Sequence, residues 1–264
     1  MSPGNGANHS LEHAGARLHW RFDAGNVSYG GPPLVLIHGW ALSLDYWDPV
    51  ASHLALRRGL LRYDRRGFGA TQGPYDPTLA CDDLLALLDA AGIGRACLVG
   101  MSQGARVAIH TAIRAPQRVA GLVLDGAPVF EAETELPLAE YRRLLEKEGL
   151  ASLHTAILAH PLMRLATPDV QRQNLLARCV RSYRGADLKD GWAQMPTPDL
   201  GAIGQPTLVL NGSDDGAQRR EAGVRLCEAI DGARQVNIDG AAHLAALDQP
   251  LAWAAAVLEF VASK

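Results

Sequence analysis

A serine near the middle of the chain has one glycine two residues before it and another two residues after it. Residues 100–104 read Gly-Met-Ser-Gln-Gly, with Ser102 at the centre. The apolar run 96–99 precedes this segment, and a helical pattern begins at Gly104. A serine on a sharp strand-to-helix turn needs neighbours almost without side chains, and such a turn exposes its hydroxyl beside a helix N-terminus. The pattern therefore predicts Ser102 as a nucleophile.

A serine hydroxyl attacks well only when a base removes its proton, and the sequence offers nine histidines. We prefer His243, because it lies between the last predicted strand and the last predicted helix, at the edge of the sheet where ligands bind. His38 also ends a predicted strand, but it directly precedes Gly39, and we interpret it as shaping an oxyanion loop. Histidines on predicted helices are interpreted as packing or solvent-facing residues: His110, His154 and His160.

The base needs a carboxylate to orient it, and two adjacent aspartates follow a predicted strand. Asp215 is the preferred acid because it lies three residues past Gly212, and Asp214 is the alternative. Asp125, at the end of an earlier predicted strand, is a third and less favoured choice. The chain order serine, aspartate, histidine is that of a nucleophile-elbow hydrolase.

An oxyanion hole needs two backbone N–H groups aimed at one point. The residue after the nucleophile, Gln103, is predicted to supply one of them. The loop 38–41 is predicted to supply the other from Trp40, which follows a glycine that permits an unusual turn.

The elements that must position these residues alternate along the chain. Short apolar runs predict strands at 17–22, 34–37, 59–63, 96–99, 119–124, 207–210 and 235–238. Helical periodicity predicts helices at 78–91, 104–115, 217–230 and 251–262, and residues 1–8 are predicted to be disordered. This alternation predicts an α/β fold with a doubly wound, mostly parallel sheet.

One region breaks the alternation, since 128–200 contains helical patterns without a convincing strand. Its predicted helices are 141–148, 151–159 and 169–182. We interpret 128–200 as a helical cap inserted into a core made of 1–127 and 201–264.

Substrate identity would depend on the cap. Met163 and Trp192 are candidates for an apolar acyl pocket, together with Leu162 and Leu165, although packing inside the cap is the alternative. The cap arginines are interpreted as meeting a substrate carboxylate or as a solvated helix face: Arg164, Arg178, Arg181 and Arg184.

Composition limits the classes of partner. The 264 residues are 48% apolar and 20% charged, and the net charge is −3. This balance argues against a nucleic acid or an anionic membrane, since both attract basic surfaces. With no apolar stretch of membrane-spanning length and no signal-peptide pattern, we expect a cytoplasmic protein. The four cysteines form no C-x-x-C pair, so we expect reduced thiols and no metal site.

The motifs together resemble the α/β-hydrolase family. His38-Gly39-Trp40 and Asp64-Arg65-Arg66-Gly67-Phe68-Gly69 are similar to segments of cofactor-free haloperoxidases and aryl esterases. The segment 240–244, followed by Asp248-Gln249-Pro250, looks more like the 3-oxoadipate enol-lactonases. Both resemblances imply attack on a small carboxylic ester or lactone. We expect Asp64 and Arg65 to form an ion pair that braces the loops.

The predicted chemistry proceeds through an acyl-enzyme and needs neither a metal nor an organic cofactor. The expected partner is a small-molecule substrate. The sequence does not decide the oligomeric state, and a homodimer is one alternative. Two alternatives also stay open: a carbon–carbon bond hydrolase with the same triad, acting on a diketone-type substrate, and a non-catalytic ligand-binding relative.

Overall fold

The structure is a computed structural model that describes residues 6–25, 30–128, 136–189 and 195–262. An eight-stranded sheet runs through it in the order β1-β2-β4-β3-β5-β6-β7-β8. Strands β3 to β8 are parallel, and β1 and β2 add an antiparallel edge. The strand bounds are β1 Asn8–His13, β2 Ala16–Asp23, β3 Leu34–Ile37, β4 Leu60–Tyr63, β5 Ala96–Met101, β6 Val119–Asp125, β7 Thr207–Gly212 and β8 Arg234–Ile238. The predicted fold class is confirmed.

Helices cover both faces of the sheet, which explains why its central strands are apolar runs rather than alternating ones. In β3, Leu34 and Leu36 pack with α1 and α10, whereas Val35 and Ile37 pack on the opposite face with α2, α3 and α8. The bounds of these helices are α1 Asp48–Ala55, α2 Ala80–Ala90, α3 Gln103–Arg114, α8 Ala217–Ala229 and α10 Pro250–Ala262.

Four further helices lie between β6 and β7, where the sequence predicts a cap. They are α4 Leu138–Glu148, α5 Leu150–Leu158, α6 Val170–Ser182 and α7 Ala186–Lys189, and a short helix, α9 Ala245–Asp248, follows β8. No strand occurs in the described residues between β6 and β7. We call residues 136–189 the cap segment.

The sequence predicts neither β1 nor α1, nor the short helices α7 and α9. Strand β1 alternates exposed and half-buried residues, so it forms no apolar run, yet all six of its residues pair with β2. The interpretation of residues 1–8 as disordered is wrong for Asn8, which begins β1. Helix α1 spans only eight residues and buries just three of them, which is too few to give a clear helical period.

The predicted ion pair between Asp64 and Arg65 is wrong. Asp64 instead lies 2.8 Å from Nδ1 of His19, and the Arg65 guanidinium donates to the carbonyl of Gly39. Adjacent residues of extended chain point to opposite sides, so a strand end separates the two charges rather than pairing them. The four cysteines are free in the structure: Cys81, Cys97, Cys179 and Cys227.

Candidate active site

Ser102 lies on a strained turn between β5 and α3. Its backbone has φ 51° and ψ −116°, a conformation that costs a residue with a side chain about 1–3 kcal/mol. Glycines make the turn possible, because a Cβ at Gly104 would collide with the carbonyl of Ile37 and one at Gly100 with the backbone of the next turn. The N–H of Ser102 donates to the carbonyl of Asp125 at 2.8 Å, which fastens the turn to β6. The sharp, Gly-flanked geometry expected from the sequence is therefore present.

His243 and Asp215 lie together at the same sheet edge as Ser102. His243 follows β8, Asp215 follows β7, and Nδ1 of the imidazole is 3.0 Å from Oδ2 of the carboxylate. Both side chains are buried. Burial raises the pKa of Asp215, but the charge and hydrogen bond of His243 and the N–H of Gly216 outweigh it, so the pKa lies below its ordinary value. Asp215 is therefore ionised at neutral pH and holds Nδ1 in place.

The other two candidate acids lie elsewhere. Asp214 is exposed, and its Oδ1 accepts a hydrogen bond from Oγ of the neighbouring Ser213. Asp125 is buried, and its Oδ2 accepts from Nε1 of Trp253 at 3.0 Å. The structure thus brings Asp215, rather than Asp214 or Asp125, onto the imidazole.

The loop after β3 lies against the serine turn. A Cβ on Gly39 would be 2.6 Å from Sδ of Met101 and 3.4 Å from Cβ of Ser102, so only glycine allows this approach. Trp40 follows, and neither its N–H nor that of Gln103, the first residue of α3, has an acceptor among the described residues. Unpaired backbone donors of this kind can bind an anion.

The indole of Trp40 connects this loop to the cap segment, a contact that sequence reasoning missed. Its Nε1 donates to Oδ2 of Asp187 at 2.8 Å, and the hydroxyl of Tyr183 donates to Oδ1 of the same carboxylate at 2.5 Å. Tyr141 stacks on the indole with ring centroids 5.6 Å apart. Trp40 and Asp187 are 147 residues apart, so no local pattern could have paired them.

A second missed carboxylate, Asp248, joins the cap segment to the histidine loop. Its Oδ1 accepts from the N–H groups of Ala166 and Thr167 at 2.8 and 3.0 Å, and its Oδ2 accepts from the N–H of Ala242 at 2.9 Å. Ala242 directly precedes His243, so the same side chain contacts the cap segment and the loop that carries His243. The only available signal was the position of Asp248 close after His243.

The structure describes only some of the residues that are predicted to contact the substrate. Met163 is buried in the apolar cluster that also contains Trp40 and Met101, and a pocket role for it stays a prediction. Trp192 lies outside the described residues. Among the cap arginines, Arg178 forms ion pairs with two core aspartates. Its guanidinium lies 3.8 Å from the carboxylate of Asp45 and 3.5 Å from that of Asp48.

The described ranges of the chain contain no group of three or more His, Cys, Asp and Glu side chains that could hold a metal ion. Within those ranges, no helix combines the length and apolar character needed to cross a bilayer.

Known proteins resemble this chain in sequence and in fold. A family profile described as "alpha/beta hydrolase fold" matches residues 32–250. A pimeloyl-[acyl-carrier protein] methyl ester esterase of Nitrosomonas europaea is 32% identical over 198 residues, which cover 70% of this chain and 78% of that protein. A hydrolase from Pseudomonas aeruginosa superimposes with a TM-score of 0.80 at 30% identity, covering 97% of this chain and 99% of the other. An enol-lactonase from Burkholderia xenovorans superimposes with a TM-score of 0.81 at 25% identity, covering 96% and 99%.

Proposed function

The chain belongs to the α/β-hydrolase fold family, and on that premise we propose that it is a serine hydrolase that cleaves a small carboxylic ester or lactone through an acyl-enzyme. One observation carries the proposal. The buried pair of His243 and Asp215, 3.0 Å apart, lies at the same sheet edge as the strained Ser102.

In the first half of the reaction, His243 acts as general base. Asp215 accepts a hydrogen bond from Nδ1 of the imidazole, so the proton sits on that nitrogen and Nε2 is left as the basic atom. Nε2 takes the proton of the Ser102 hydroxyl as Oγ attacks the carbonyl carbon of the substrate. The ionised Asp215 then stabilises the imidazolium that forms.

The developing oxyanion is bound by two backbone donors, the N–H groups of Trp40 and Gln103. Each of them lacks an acceptor among the described residues, and the second also belongs to the N-terminus of α3, where negative charge is favoured. Collapse of the intermediate expels the alcohol, which receives its proton from His243 and leaves Ser102 acylated.

In the second half, His243 removes a proton from water as it attacks the acyl carbonyl. The intermediate then collapses to release the acid, and the departing Ser102 oxygen takes the proton back from His243. Hydrolysis of an internal ester follows the same steps, except that the alcohol and acid parts of the product stay joined. The similarity to an enol-lactonase and to a methyl ester esterase supports an ester or lactone as the bond that is cleaved.

The cap segment is proposed to cover the substrate. Support comes from the contact of Asp187 with Trp40 and from the burial of Met163 in the cluster that contains Trp40 and Met101. We propose that Met163 and Trp192 contribute apolar surface to an acyl pocket within a cap spanning 128–200.

The test is hydrolysis of p-nitrophenyl acetate and of a panel of methyl esters and lactones by the purified chain, with a diketone substrate as comparison. We expect Ser102→Ala to lower the turnover of an ester by at least about 10³-fold, since the nucleophile is removed. A fluorophosphonate should label the wild-type chain and not the variant. Ester turnover that survives in Ser102→Ala would refute the proposal.

A further inference from the structure

The peptide between Gly39 and Trp40 is held by two hydrogen bonds to its carbonyl oxygen. Nδ1 of His38 lies 2.8 Å from this oxygen, and Nη2 of Arg65 donates to it at 3.1 Å. The backbone N–H of Arg65 donates to Nε2 of His38 at 3.1 Å, which leaves the ring proton on Nδ1. Burial, with the Arg65 charge added, lowers the pKa of His38 to about 3. At neutral pH the imidazole is therefore neutral, and both groups donate to Gly39.

The orientation of this carbonyl decides where the N–H of Trp40 points. The two groups belong to the same peptide unit, and because no described peptide bond is cis, they point in opposite directions within one plane. Fixing the carbonyl of Gly39 against His38 and Arg65 thus fixes the direction of the Trp40 N–H. Hydrogen bonds to a peptide carbonyl also polarise the amide, which makes its N–H a stronger donor.

The Arg65 guanidinium also approaches the other half of the proposed hole. The same Nη2 lies 3.5 Å from Oε1 of Gln103, the residue that follows the nucleophile. Its position is further restricted by Phe68, whose ring centroid is 4.5 Å from the guanidinium carbon. One side chain therefore contacts the carbonyl of the peptide that carries the Trp40 N–H and also the side chain of Gln103, and it brings a positive charge close to both.

We infer that Arg65 is a positioning residue of the oxyanion hole, acting through the peptide that joins Gly39 to Trp40. The inference rests on the proposed function, because it assigns Arg65 to the stabilisation of a tetrahedral intermediate. Arg65 does not touch the reacting atoms in this account. Its loss would loosen the direction of the Trp40 N–H and remove a charge that favours the oxyanion.

The test compares Arg65→Met, which removes the charge and the donors, with Arg65→Lys, which restores one donor and the charge. With p-nitrophenyl acetate we expect Arg65→Met to lower kcat/KM by about 10- to 100-fold, the range for a hydrogen bond from a charged donor. The loss should lie in kcat, with KM within about twofold of wild type, because the missing interaction matters only in the transition state. Arg65→Lys should recover most of the activity.

The second readout is inhibition by phenylboronic acid, whose adduct with a serine hydroxyl is tetrahedral and anionic. Its inhibition constant should rise in Arg65→Met by about the same factor as kcat/KM falls. A structural role would not produce this match. Arg225→Met, which removes an exposed arginine paired with Glu221 on α8, is the matched control and should behave as wild type in both assays.

Thermal unfolding establishes that each variant is folded, and Arg65→Gln replaces Arg65→Met if the latter is not. The inference is overturned if folded Arg65→Met or Arg65→Gln keeps wild-type kcat/KM, or if kcat/KM falls while the boronate still binds as tightly. Failure of the proposed function has a different signature. In that case the wild-type chain itself shows no hydrolysis of the ester that depends on Ser102.

Discussion

At the residue scale, the environment of each carboxylate decides its role. Asp215 is buried, accepts hydrogen bonds from His243 and Gly216, and stays ionised. Asp214, one position earlier, is exposed, and its carboxylate accepts a hydrogen bond from the adjacent Ser213. The two aspartates are therefore distinguished by which of them points towards the imidazole.

A pair of amide substitutions tests this distinction. Asp215→Asn should lower kcat for p-nitrophenyl acetate by about 10³–10⁴-fold, because an amide neither stabilises the imidazolium nor holds the correct tautomer. Asp214→Asn is its matched control and should keep kcat within about twofold. The two turnover rates are measured under identical conditions. If Asp214→Asn loses more turnover than Asp215→Asn, Asp214 is the residue that orients His243.

The nucleophile turn could be predicted from local spacing, whereas the supporting contacts could not. Ser102 has its glycines two positions away, so a short window contains the steric argument. Arg65 contacts a carbonyl 26 residues earlier, and Trp40 contacts Asp187 147 residues later. Such pairs depend on how strands and loops are brought together, which no local pattern specifies.

At the element scale, the cap segment is joined to the loops that carry Trp40 and His243 by two buried carboxylates. Asp187 accepts from Trp40, and Asp248 accepts from Ala166, Thr167 and Ala242. The N–H groups bound by Asp248 lie in two loops, where they have no hydrogen-bond partner in a helix or a strand ladder. The N–H groups of Ala166, Thr167 and Ala242 therefore depend on this one side chain for an acceptor.

Asp248→Asn should weaken this connection. An amide has one acceptor oxygen, so its NH₂ group must face at least one backbone N–H, and a buried donor is left unpaired. We expect the free energy of unfolding to fall by about 1–3 kcal/mol, measured by urea denaturation. Ester turnover should fall as well, because Ala242 precedes His243.

The matched control for this change is Asp199→Asn. Asp199 is exposed and accepts from the N–H of Gly201 at the start of a short helical turn, where asparagine serves as well as aspartate. Its unfolding free energy should be unchanged. Equal stabilities for the two variants would show that Asp248 is not needed to hold the loops.

The alternation of apolar runs and helical patterns was sufficient to predict the parallel sheet, and the family resemblance stated from the motifs is confirmed. These patterns do not predict an element whose stability comes from backbone pairing with a neighbouring strand rather than from burial of apolar side chains. Strand β1 is mostly polar and is held by its backbone ladder with β2. Its register depends on β2, so its own residues give no signal.

At the scale of the whole molecule, the buried carboxyl of Asp125 should make the free energy of unfolding depend on pH. Asp125 ends β6 in the interior of the sheet, and its only side-chain hydrogen bond in the described part of the chain comes from Trp253. Burial, with the negative charge of Asp215 added, raises the pKa of Asp125 to about 8 from an ordinary value of 3.8. The folded protein therefore keeps this carboxyl protonated over a range in which the unfolded chain ionises it.

The sign of the pH effect follows from linkage. Below about pH 4 both states bind the proton, so Asp125 contributes no pH dependence. Between pH 4 and about 8 the unfolded chain is ionised at this position and the folded chain is not, so this residue lowers stability progressively as the pH rises.

Asp125→Asn removes the titration while keeping an oxygen that can accept from Trp253. The variant should melt higher than wild type at pH 8 by at least about 2–4 °C, equivalent to about 1 kcal/mol, with a smaller difference at pH 4.5. Asp231→Asn, at an exposed position, should follow the wild-type melting temperature at both pH values. If Asp125→Asn gains no more at pH 8 than at pH 4.5, Asp125 is ionised in the folded protein, because only a carboxyl that stays protonated there can produce the difference.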